Sequence, residues 1–93
     1  MNIEEFTLSL ADENCPATSP LLKALWYIKN DSWDKAHDIV NDIHTAEAYW
    51  IHGLLHRIEG DRWNAGYWYQ RAGREYPSMS INEEWDVIAR ALT

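Results

Sequence analysis

Two histidines, His52 and His56, stand four positions apart in this 93-residue chain. On a helix that spacing turns both imidazoles to one side. Such a pair serves zinc sites once a third ligand arrives, and Glu59, His37 and His44 are the candidates for it. The metalloprotease form of the motif needs Glu directly after the first His, where this chain has Gly53. The other role for the pair is packing, each ring bonded to Tyr69, a carboxylate or the backbone, because an unsatisfied buried imidazole is costly. Packing is the leading reading, and no cofactor is expected. A small metal-binding protein or metal-dependent enzyme using His52 and His56 is the alternative. Two packed imidazoles would make stability sensitive to pH near their ordinary pKa of about 6.5.

Other chemistry is sparse. No Ser–His–Asp order is present, and four glycines cannot build a nucleotide cradle. Cys15 has no basic residue within seven positions to lower its pKa, so it reads as an ordinary thiol. These absences favour a non-enzymatic protein. The run Tyr67-Trp68-Tyr69 carries more information, because three consecutive aromatics on a helix cannot all face one core. Tyr69 belongs inside with Ala65 and Ala72. Trp68 is expected on a neighbouring helix near Trp85. Tyr67 and Trp63 are left on a more exposed face beside Arg71 and Arg74. They either pack under the last helix or form a Tyr/Trp/Arg surface with the composition of an interface hot spot.

Charge narrows the partners. Fifteen acidic against eight basic side chains give a net charge of −7. A nucleic-acid binder neutralises phosphates and a membrane-surface protein meets anionic lipid, so neither is expected. Residues 1–19 hold Glu4, Glu5, Asp12 and Glu13 and no base, whereas residues 57–74 hold four arginines against Glu59 and Asp61. That arginine-rich stretch reads as a solvated face with local ion pairs, or as a contact for carboxylates or phosphates. Glu59, Glu47 and Glu75 are candidate internal partners for Arg57 and Arg71. A single cysteine excludes a disulfide scaffold and fits a reducing cytoplasm. The opening residues MNIEEFTLSL lack the basic, then apolar, order of a signal peptide. No apolar run approaches the roughly 20 residues of a membrane span.

Helix start signals recur along the chain. Ile3, Phe6 and Leu10 fit a short helix, and residues 11–19 read as a loop. Ser19-Pro20 opens a second helix. Ser32, Thr45 and Asp61 are N-caps for three more, and Gly60 ends the helix before Asp61. Ser80 with Glu83 reads as a capping box ahead of the stripe Ile81, Trp85, Ile88, Leu92. Connections of two to seven residues suit helices folded back on one another. The fold class is therefore all-α, in a single domain over 1–93. Its parts are an N-terminal segment 1–19, a helical hairpin over 20–44, a second over 45–77 and a terminal helix over 80–92. Asn30-Asp31-Ser32-Trp33 and Gly60-Asp61-Arg62-Trp63 recur 30 residues apart, each between two amphipathic helices.

The second hairpin resembles a tetratricopeptide repeat, whose pattern is W-x2-L-G-x2-Y, then Ala-x3-Phe, Ala and Pro. Here it reads Tyr49-x2-His52-Gly53-x2-His56, then Ala65-x3-Tyr69, Ala72 and Pro77. The first hairpin follows more loosely as Ala24-x2-Tyr27 and Ala36-x3-Val40, with Ile43 in place of the second small residue. The string W-I-H-x3-H-R-x-E-G-D followed by Y-W-Y-x-R-A-G is also similar to a group of small microbial proteins of uncharacterised function. That likeness implies only that His52, His56, Arg57, Tyr67, Trp68 and Arg71 form one unit. The repeat resemblance implies an interaction module that docks a partner protein or peptide in the groove between hairpins. Trp50, Leu54, Arg57 and Ile58 would line that groove, with Trp63, Tyr67 and Arg71 completing an aromatic and arginine surface. Two repeats leave open faces. The last helix with Trp85 is expected to cap one end and the segment around Phe6 the other, with a homo-oligomer as the alternative cover.

Overall fold

Six helices and no strand make up the computed structural model, which describes residues 1–93. They are α1 (Ile3–Ser9), α2 (Pro20–Lys29), α3 (Trp33–Asn41), α4 (Ala46–Ile58), α5 (Arg62–Arg71) and α6 (Ile81–Leu92). Their starts follow the capping residues. Thr45 accepts from the Ala48 amide, Asp61 from Asn64, and Ser80 and Glu83 exchange both bonds of a capping box. Ser19 and Ser32 stand at the N-cap positions without making a side-chain bond, so Pro20 at the first turn and packing start those helices instead. The helix α1 has a capping box of its own, Asn2 with Glu5.

α2 pairs with α3 and α4 with α5, and each pair is joined by three residues. The two turns place a left-handed residue at the same point, Asp31 (φ 58°) in one and Gly60 (φ 85°) in the other. In both, the amide that follows bonds back five residues, Ser32 N–H to Tyr27 O and Asp61 N–H to His56 O. The structural offset between the pairs is therefore 29 residues, one less than the Asn30/Gly60 sequence match. That single residue has a large effect. Trp33 turns inward, while Trp63, its partner in the sequence repeat, stands 80% exposed.

The helix α4 is the centre of the molecule. Every residue from Trp50 to His56 is buried, and the helix packs on α2, α3, α5 and α6. A helix that is apolar nearly all round belongs inside. Gly53 is needed there, because a Cβ built on it would lie 2.9 Å from the Tyr69 ring.

The terminal helix is not an end cap. α6 lies across α2 and α4, reached by a nine-residue connection longer than the sequence suggested. Trp85, Ile88 and Ala89 fill the seam. Phe6 of α1 stacks on Trp85 at 5.9 Å, so α1 and α6 cover the same side of the molecule and not opposite ends. The indoles fix this arrangement. Trp26 Nε1–H donates to Ser9 O, Trp33 to Leu55 O, Trp50 to Glu84 Oε2 and Trp85 to Leu25 O. Each bond joins two different helices. A large ring with one donor at its edge buries area and still satisfies its polar atom, which accounts for four of the six tryptophans of so small a chain.

Candidate functional site

The groove expected to dock a partner is filled by the chain itself. Trp50 and Leu54 are buried and lie against α6 and the core, so neither is free to meet a peptide. Arg57 donates from Nη1 to Glu84 Oε1 at 2.8 Å and from Nη2 to Met79 O. Glu84 is 1% exposed and also accepts from Tyr69 Oη at 2.8 Å and from Trp50 Nε1 at 3.3 Å. Three donors on one carboxylate make this a satisfied buried network. Tyr69 is pushed above the ordinary phenol range by burial first and by its bond to Glu84 second. Of the four groove residues only Ile58, at the end of α4, is exposed. Arg74 sits over the Trp50 ring at 3.3 Å and not beside Tyr67. Nothing in the sequence marked Glu84, a first-turn acid of α6 indistinguishable in type from its neighbour Glu83.

The outer face of α5 is open. Trp63 stacks on Tyr67, ring centres 6.3 Å apart with 12° between planes. Arg71, one turn further, donates to Tyr67 Oη at 3.2 Å and to Tyr49 Oη at 3.3 Å. Its guanidinium also lies over the Tyr49 and Trp68 rings, at 4.6 and 5.0 Å. No carboxylate pairs with Arg71. Trp63, Tyr67 and Arg71, all exposed, thus form one continuous ladder with the half-buried Tyr49, not covered by the terminal helix. Spacing of i, i+4, i+8 on α5 foretold three members, but not Tyr49 from α4.

Beneath the ladder lies a histidine cluster. Trp68 packs face to face on His52 at 3.7 Å, and not near Trp85. His37 from α3 meets His52 with their Nε2 atoms 3.1 Å apart. His56 stacks on His52 at 5.0 Å and gives its Nδ1 to Glu59 Oε1 at 2.6 Å. One ring nitrogen from each of His37, His52 and His56 lies within 4.8 Å of the other two. Neither histidine of α4 bonds to Tyr69, whose hydroxyl is spent on Glu84. Trp33 closes the other side, stacked on His37 at 4.9 Å. Burial first, then His37, His56 and Arg71, hold the His52 pKa down to about 3. Its Nδ1 is buried with no partner, which costs about 1–3 kcal/mol in a ring that only packs. Of the three candidates for a third ligand, His37 joins the cluster, Glu59 binds His56 from outside it, and His44 is exposed elsewhere.

The string that groups His52, His56, Arg57, Tyr67, Trp68 and Arg71 divides in space. Arg57 faces α6, and the other five surround the α4–α5 seam. No protein-family model, curated protein or solved structure matches the chain. No helix is long and apolar enough to cross a membrane.

Proposed function

We propose that the chain is a non-enzymatic, tetratricopeptide-like interaction module that docks a partner protein on the outer face of its second helix pair. The observation that carries this reading is the Trp63–Tyr67–Arg71–Tyr49 ladder. Trp63 leaves 80% of its surface in water on a protein that buries most of its other indoles. Large aromatics and arginine are the residues that carry binding energy at interfaces. α6 closes the groove between the helix pairs and takes up Trp50, Leu54 and Arg57, so the docking face is the one that carries Trp63, Tyr67 and Arg71.

The partner's chemistry follows from the ladder. Arg71 is pre-set by two tyrosine hydroxyls and lacks an anion, so the matching segment offers a carboxylate. Trp63 and Tyr67 offer a flat apolar strip for an aliphatic or aromatic side chain beside it.

The test is affinity capture from the source cells, followed by titration of a peptide from the captured partner into the purified chain. Trp63→Ala and Arg71→Glu should each weaken binding at least tenfold. Leu8→Ala, at an exposed apolar position on α1, should leave it unchanged. Binding that survives both ladder variants overturns the reading. So does a dimer in solution that Trp63→Ala breaks, since the ladder would then be covered by a second copy.

A further inference from the structure

We propose that His37, His52 and His56 bind a divalent transition metal, zinc in the first instance, with Glu59 orienting the His56 ring. The site is independent of whether the ladder above it binds a partner. Three observations carry it.

The first is separation. Tetrahedral zinc with Zn–N bonds of about 2.0–2.1 Å holds its nitrogens roughly 3.3 Å apart. The Nε2 atoms of His37 and His52 are already 3.1 Å apart. The widest gap in the set, at most 4.8 Å, needs to shorten by only about 1.5 Å to match.

The second is the state of the His56 nitrogens. In the neutral ring the Nδ1–H donates to the Glu59 carboxylate, and Nε2 then carries the lone pair. A carboxylate on the far nitrogen is what metal-binding imidazoles usually carry, because it fixes the tautomer and the ring plane.

The third is the support around the cluster. Trp33 and Trp68 wall it on two sides, stacked on His37 at 4.9 Å and on His52 at 3.7 Å. The same walls hold His37 and His52 in fixed planes, the rigid support a preorganised metal site needs.

Imidazole donors suit zinc, copper, nickel and iron. Three protein nitrogens leave a fourth tetrahedral position for water or an outside donor, the arrangement of an open site.

The experiment uses the tag-free full chain, stripped with chelator and titrated with zinc chloride by calorimetry, with cobalt(II) as a spectroscopic substitute. One zinc per chain is expected, with an intense tetrahedral cobalt spectrum. His37→Ala and His52→Ala should abolish stoichiometric binding, Glu59→Gln should weaken it about 10–100-fold, and His44→Ala should leave it intact. His37 is half-buried, so if His52→Ala does not fold, His37→Ala and Glu59→Gln carry the test. No zinc bound by the folded parent overturns the site. So does binding that survives His37→Ala, or that disappears with His44→Ala.

Discussion

The two helix pairs place alike residues in opposite situations. In the first pair, Trp33 turns inward, bonds to Leu55 O and stacks on His37. In the second, Trp63 faces water. The same contrast separates the two faces of α4 and α5. Toward α6, arginine, tyrosine and tryptophan converge on Glu84 and are consumed in stability. Away from α6, arginine, tyrosine and tryptophan form a ladder with no carboxylate and no covering helix. Composition alone does not distinguish a structural cluster from a binding surface; what distinguishes these two is burial and whether the arginine already holds a carboxylate.

The largest expected difference is between an ion pair that joins α4 to α6 and one within α6. Both Arg57–Glu84 and Arg90–Asp86 are 2.8 Å long, but only Glu84 is buried. Glu84→Ala strands Arg57, Trp50 Nε1 and Tyr69 Oη, so urea unfolding should show a loss of about 3–5 kcal/mol. Asp86→Ala, in a pair open to water, should leave the unfolding curve nearly unchanged. Equal losses would mean that α6 does not close the groove.

A second contrast lies in two helical glycines. Gly53→Ala drives a Cβ into the Tyr69 ring, whose hydroxyl is held by Glu84, and should cost about 1–2 kcal/mol even after the helix propensity gained. At Gly66 a Cβ meets nothing within 4 Å, so Gly66→Ala should stabilise by about 0.5–1 kcal/mol. Thermal unfolding of the pair of variants reads both signs at once.

The third effect is absent at neutral pH and grows in acid. Unfolded His52 takes a proton near its ordinary pKa of 6.5, whereas the folded ring resists until about 3. Between those values the unfolded state binds more protons, so stability falls as pH is lowered from about 6.5 toward about 3. The groups facing the ring are His37 from α3, His56 from its own helix and Arg71 from α5. Unfolding curves in chelator should show this slope, and His52→Gln should lack it. The smallest effect concerns the two turns. Asp31→Gly relieves an aspartate held at positive φ and should add about 0.5 kcal/mol to the melting free energy.

Much of the fold was legible in the sequence. Thr45, Asp61 and Ser80 announce three helix starts by local chemistry that tertiary context leaves unchanged. The stripe on α6 says that one face is buried but not against what, so an end cap and a groove cover look alike in sequence. The 30-residue match pairs Trp33 with Trp63, but the left-handed residue is Asp31 in one turn and Gly60 in the other, which shifts the register by one. At the site, the His52/His56 spacing and the Trp63/Tyr67/Arg71 face are local periodicities and were readable. His37 against His52 and Glu84 against Arg57 are contacts between helices, and no local pattern encodes which rings or charges meet.

The central claim is that the ladder on α5 is spare surface, free to bind, while its counterpart under α6 is structure. Urea unfolding of the Trp63→Ala/Arg71→Ala double variant tests it most directly. A stability within about 1 kcal/mol of the parent is the predicted result. A loss of about 3 kcal/mol or more would show that the ladder holds the fold together, and would contradict the claim.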